Sequence, residues 1–115
     1  MRKVALLLAI VLLFSMPLTA YAAPRALGID LAMDFDRGTA YCEAEVSGNN
    51  MSEFIQVTME LKHGSTVVAS WYSEGYGYVY MLENTRAVKG RTYDLVVTVI
   101  FDGVPKTPVS IRGTC

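Results

Sequence analysis

The chain has 115 residues, with ten basic and eleven acidic side chains, a net charge of −1, two cysteines and one histidine. That balance argues against nucleic acid or an anionic membrane surface as partner, since both select clustered Lys and Arg. Two Cys and one His are too few for a structural zinc site, and no C-x-x-C pair suggests redox work.

Residues 1–22 read as a signal peptide. Arg2 and Lys3 form a positive n-region, and Val4 to Phe14 is an uncharged apolar run. Met16-Pro17-Leu18-Thr19 breaks that run, and Ala20-Tyr21-Ala22 supplies the small-x-small pattern of a cleavage site. The run is shorter than the roughly 20 residues a membrane span needs. The expectation is a secreted protein beginning at Ala23, with no membrane association after cleavage. Arg2 and Lys3 leave with the signal, which takes the net charge from −1 to −3. No Cys sits just after the cleavage point, so no lipid anchor is expected, and no C-terminal apolar tail is expected to hold the chain to a membrane.

Residues 23–115 then alternate apolar and polar side chains at the period of half-buried strands. Ile29, Leu31, Met33 and Phe35 alternate with Asp30, Ala32, Asp34 and Asp36. Ala40, Cys42, Ala44 and Val46 follow, between Tyr41, Glu43 and Glu45. From Phe54 to Lys62 the alternation is cleanest, with Ile55, Val57, Met59 and Leu61 on one side. Weaker strands are expected from Thr66 to Tyr72 and from Tyr76 to Leu82, with room for a single helical turn from Asn84 to Lys89. Thr92 to Phe101 puts Tyr93, Leu95, Val97, Val99 and Phe101 inward, while Val96 and Ile100 suggest partial cover outside. A last strand spans Val109 to Cys115, and Pro105 and Pro108 beside it mark a sheet edge.

Asp36-Arg37-Gly38, Ser47-Gly48-Asn49-Asn50, His63-Gly64-Ser65 and Asp102-Gly103 supply the turns, the last a type I′ signal. Asn50-Met51-Ser52, formally a glycosylation sequon, reads as turn chemistry. The result is one all-β domain over 23–115, an Ig-like antiparallel β-sandwich of about seven strands. Tyr93, at the start of the sixth strand and two residues before an inward position, resembles a tyrosine corner. Trp71 shares the parity of Val67 and Ala69 and is expected in the core.

Cys42 and Cys115 share the parity of their strands' apolar residues, so both are expected to face inward and pair as a disulfide. Such a bridge would close a loop of roughly 70 residues and contribute about 4 kcal/mol on the chain-entropy view.

The Tyr41-Cys42 strand, the Ile55-to-Leu61 strand, Ala69-Ser70-Trp71 before a Gly/Tyr turn, and Lys89-Gly90-x-x-Tyr93-x-Leu95-x-Val97-x-Val99 carry a resemblance. They resemble a loose group of small secreted, uncharacterised proteins of Gram-positive, Firmicutes-type bacteria. The resemblance implies an exported Ig-like sandwich. It transfers no activity, ligand or catalytic residue.

No residue pattern points to an enzyme, and no cofactor is expected. His63 sits in a hairpin tip, where a Ser-His-Asp arrangement would need partners from other loops. Glu43, Glu45, Glu60 and Asp94 occupy outward positions, where charge is the ordinary solvent face. Asp30, Asp34 and Asp36 line one side of the first strand, and a hairpin would bring Glu43 or Glu45 nearby. The spacing matches no calcium loop, and an acidic edge that discourages strand-to-strand aggregation is the expected reading.

Tyr72, Tyr76, Tyr78 and Tyr80 crowd one stretch, with Tyr76, Tyr78 and Tyr80 at the spacing of one strand face. If Val79 and Met81 face the core, the outside bears a three-tyrosine ladder suited to sugar rings or protein partners. If the tyrosines face inward, they are bulky core residues. Parity leaves both open, because both faces are apolar. The expected function is a small extracellular binding or adhesion module, contacting cell-surface polysaccharide or protein through Tyr76, Tyr78 and Tyr80. The alternatives are a passive structural protein of the cell surface or matrix, and a secreted inhibitor or toxin-like effector.

Overall fold

A computed structural model describes residues 28–115. The expected signal peptide lies outside the described residues. Those residues form β1 (Ile29–Asp36), β2 (Thr39–Ser47), β3 (Phe54–His63), β4 (Thr66–Tyr76), β5 (Tyr78–Arg86), β6 (Thr92–Phe101), β7 (Val104–Pro105) and β8 (Val109–Thr114). Among them there is no helix. The 84–89 stretch instead continues β5 as far as Arg86 before it turns.

Two antiparallel sheets face each other. One has the order β1-β2-β5; the other has β4-β3-β6-β7, with β8 also on β6. The pairing of β2 with β5 and of β3 with β6 gives the Greek-key order of an Ig-like sandwich, with the fourth strand beside the third. The alternation of the sequence becomes the two inner faces. Ala40, Cys42, Ala44 and Val46 from one sheet meet Ile55, Val57, Met59, Leu61, Leu95, Val97 and Val99 from the other, all buried. Trp71 is partly buried against this core rather than within it.

Local chemistry sets the corners. Arg37 and Gly38 have φ of 52° and 80°, and Asp102 and Gly103 have 47° and 82°, the doubly left-handed conformation of a type I′ hairpin. Tyr93 is buried, and its hydroxyl accepts the Val88 N–H at 2.8 Å, so the tyrosine corner is formed. The sequon residues make a side-chain turn, with Asn50 Oδ1 accepting the Ser52 N–H at 3.0 Å. As the flanking prolines imply, β8 is an edge strand. It lies close to β1: a side chain at Gly113 would meet Met33 at 3.0 Å and Phe35 at 3.2 Å.

Two further expectations are corrected. Cys42 and Cys115 are both free thiols. Both do face the interior, but their levels along the strands differ. Cys42 is paired with Met33, inside the level of Ala40 and Phe35. Cys115 lies beyond Gly113, its N–H donating to the Arg91 carbonyl at the sandwich end. Inward parity says nothing about axial level.

The second correction concerns the tyrosine run, which is divided between two strands. Gly77, at φ 76°, ends β4 and passes the chain straight to β5 in the opposite sheet. Its N–H donates to the Glu53 carbonyl at 2.8 Å, and its carbonyl accepts the Gly48 N–H at 2.9 Å. A Cβ at this position would stand 2.8 Å from the Met51 Cα, so only glycine fits the crossing.

Candidate binding face

Val79 and Met81 are buried, which settles the orientation of β5: Tyr78, Tyr80 and Leu82 point outward and are exposed. The register of the three-stranded sheet fixes their neighbours. One outward row reads Asp30, Glu45, Tyr80 across β1, β2 and β5; the next reads Ala32, Glu43, Leu82; the third reads Asp34, Tyr41, Asn84. Beyond the first row Ser47 faces Tyr78, and at the far end Asp36, Thr39 and Arg86 align. The face is therefore a sheet of tyrosines interleaved with carboxylates.

The aromatic rings are held in place. Tyr78 donates from its hydroxyl to Glu45 Oε2 at 2.7 Å, and Tyr80 donates to Glu43 Oε2. Each bond runs diagonally from β5 to β2, a reach open to long side chains on neighbouring strands. Ionising either phenol would set an anion beside a carboxylate. The Tyr78 phenol is accordingly pushed up to about 12, first by its bond to Glu45 and then by desolvation. The Tyr80 phenol is also raised, first by desolvation and then by the bond to Glu43. At neutral pH both remain donors, and Glu43 and Glu45 each have acceptor capacity left over.

Tyr76 is on the other face. It ends β4 opposite Phe54, with ring centroids 5.1 Å apart, and belongs to the outer surface of the larger sheet. Tyr72 lies on that same surface, its hydroxyl donating to Glu74 at 2.7 Å and accepting from Gln56 at 3.0 Å. The three-residue ladder therefore reduces to Tyr78 and Tyr80. They are joined by Tyr41, Leu82, Glu43 and Glu45, which sequence reasoning left outside the site. Their outward parity was readable, but the β2–β5 pairing joins strands that are not consecutive, and no local signal announces it.

The histidine stays apart from this face, whereas the first-strand aspartates lie on it. His63 is exposed at the end of β3, its ring 5.7 Å from that of Tyr93. Among the described residues no group of three or more His, Cys, Asp or Glu side chains is arranged to hold a metal ion. The hairpin does bring Asp30 opposite Glu45, as its position in the first strand suggested.

No protein-family model matches this chain, and a search of curated proteins finds no significant relative.

Proposed function

We propose that the protein is a small secreted binding module whose recognition surface is the outward face of the β1-β2-β5 sheet. The observation that carries this reading is the exposed row Tyr78, Tyr80 and Leu82, with the two phenols bonded to Glu45 and Glu43. A tyrosine loses little conformational entropy on contact, and less still when its hydroxyl is already bonded, so the rings are prepared for a partner. Export rests on the signal-peptide pattern of residues 1–22. The partner expected for such a module is a polysaccharide or protein of the cell surface.

Co-sedimentation of the purified mature protein with intact cell walls, peptidoglycan and mucin tests this reading. Two double variants run beside it, each checked for folding: Tyr78→Ala/Tyr80→Ala on one face and Tyr72→Ala/Tyr76→Ala on the other. Saturable binding is expected to disappear in the first variant and persist in the second. Equal loss in both, or binding to none of the materials, would remove the face as the recognition surface. A passive structural or effector role would then be the better reading.

A further inference from the structure

The two outer faces of the sandwich treat charge differently. On the larger sheet, Lys62, Asp94 and Arg112 align across β3, β6 and β8, and Arg112 Nε bonds Asp94 Oδ1 at 2.8 Å. Opposite signs side by side are what cross-strand stability favours. The β1-β2-β5 face does the reverse. Asp34, Asp36, Glu43 and Glu45 all share its outward side. Among the described residues the one cation at an outward position of these strands is Arg86, at the far end of β5. Arg37, in the neighbouring turn, lies 3.9 Å from Asp36.

Resting on the reading above, we infer that the occupant of this face is a cationic peptide segment of another protein, one rich in Arg or Lys. Charge complementarity selects it. Anionic polymers are repelled by the carboxylates, and a neutral sugar would stack on the tyrosine rings and donate hydroxyls to the carboxylates but bring no charge to offset theirs. An Arg or Lys side chain uses both surfaces. Its methylene stem lies on Tyr78, Tyr80 or Leu82, and its head reaches the free lone pairs of Glu43 or Glu45. Successive outward positions on a strand are about 7 Å apart, which matches alternate residues of an extended peptide. The phenols, already bonded to the same carboxylates, hold acceptor and ring in one fixed arrangement.

Fluorescence polarisation with labelled deca-arginine, using deca-glutamate as control, tests the assignment. Saturable binding is expected at low ionic strength, weakening about tenfold or more between roughly 20 and 200 mM salt as screening grows. Glu43→Gln/Glu45→Gln, which leaves an acceptor for each phenol, is expected to weaken binding by about tenfold. Glu60→Gln/Glu74→Gln makes the same charge change on the other sheet and is expected to leave binding intact. Equal weakening in both variants would reduce the effect to net charge and overturn the site. No saturable binding at low salt would overturn the cationic partner. Saturation by the amino-polysaccharide chitosan without any by deca-arginine would overturn the peptide. In the last two cases the cell-wall comparison of the Tyr78/Tyr80 variant still decides independently whether the face binds anything.

Discussion

A phenol that donates to a carboxylate resists losing its proton, and Tyr78 and Tyr80 both do so on an exposed sheet face. Absorbance titration should show both ionising well above the ordinary tyrosine value, and Glu43→Gln/Glu45→Gln should bring them back towards it. The sign for stability follows from folded values raised above unfolded ones. The contribution is complete below about pH 10 and is lost as pH climbs towards 12. A folded protein whose phenols all titrate together near 10 would contradict the bonds to Glu43 and Glu45. The cysteines give a second prediction. Burial pushes the Cys42 thiol up to about 11, so little of it is thiolate near pH 8. Cys115 is partly exposed. Alkylation should therefore mark Cys115 readily and reach Cys42 only on unfolding, whereas the absence of any free thiol in the native protein would restore the disulfide.

Among the elements, the corners carry more than their size suggests. Replacing Tyr93 with Phe keeps the ring in the core but leaves the Val88 N–H without its acceptor. A loss of about 1–2 kcal/mol is expected, read as a fall of roughly 5–10 °C in Tm for a domain of this size. Gly77→Ala should cost more than Gly64→Ala. Both glycines have positive φ, but a Cβ at Gly64 meets open space, whereas one at Gly77 runs into the Met51 backbone. About 1 kcal/mol of backbone strain applies to each, so thermal denaturation of the pair isolates the steric part. Equal Tm values would mean that the Met51 loop yields.

These elements also show where sequence reading stops. Alternation located every strand that contributes to the core, because a buried face and a solvated face leave a period of two. The tyrosine corner was visible because its partner is local. The Gly77 crossing was not: β4 and β5 are both Tyr-rich and separated by one residue, so the sequence reads as a continuous ladder. Parity likewise assigned Cys42 and Cys115 to the interior but could not give their levels, which depend on how two sheets are staggered. Glu43 and Glu45 were legible as outward residues. Their role beside Tyr78 and Tyr80 depends on non-consecutive pairing, which only the fold supplies.

On the scale of the whole molecule, the sandwich presents two faces of different chemistry on one core. The β4-β3-β6-β8 face carries the Asp94–Arg112 ion pair. The β1-β2-β5 face gathers carboxylates and tyrosines on one surface. Chain connectivity enforces the division, since Gly77 sends Tyr72 and Tyr76 to one side and Tyr78 and Tyr80 to the other. That division can be read in a single measurement: tyrosine nitration mapped by mass spectrometry, on the protein free and bound to the cell-wall material that retains it. Protection confined to Tyr78, Tyr80 and Tyr41, with Tyr72 and Tyr76 as reactive as in the free protein, is the expected result. Protection of Tyr72 and Tyr76 with Tyr78 and Tyr80 still reactive would place recognition on the opposite face and contradict it.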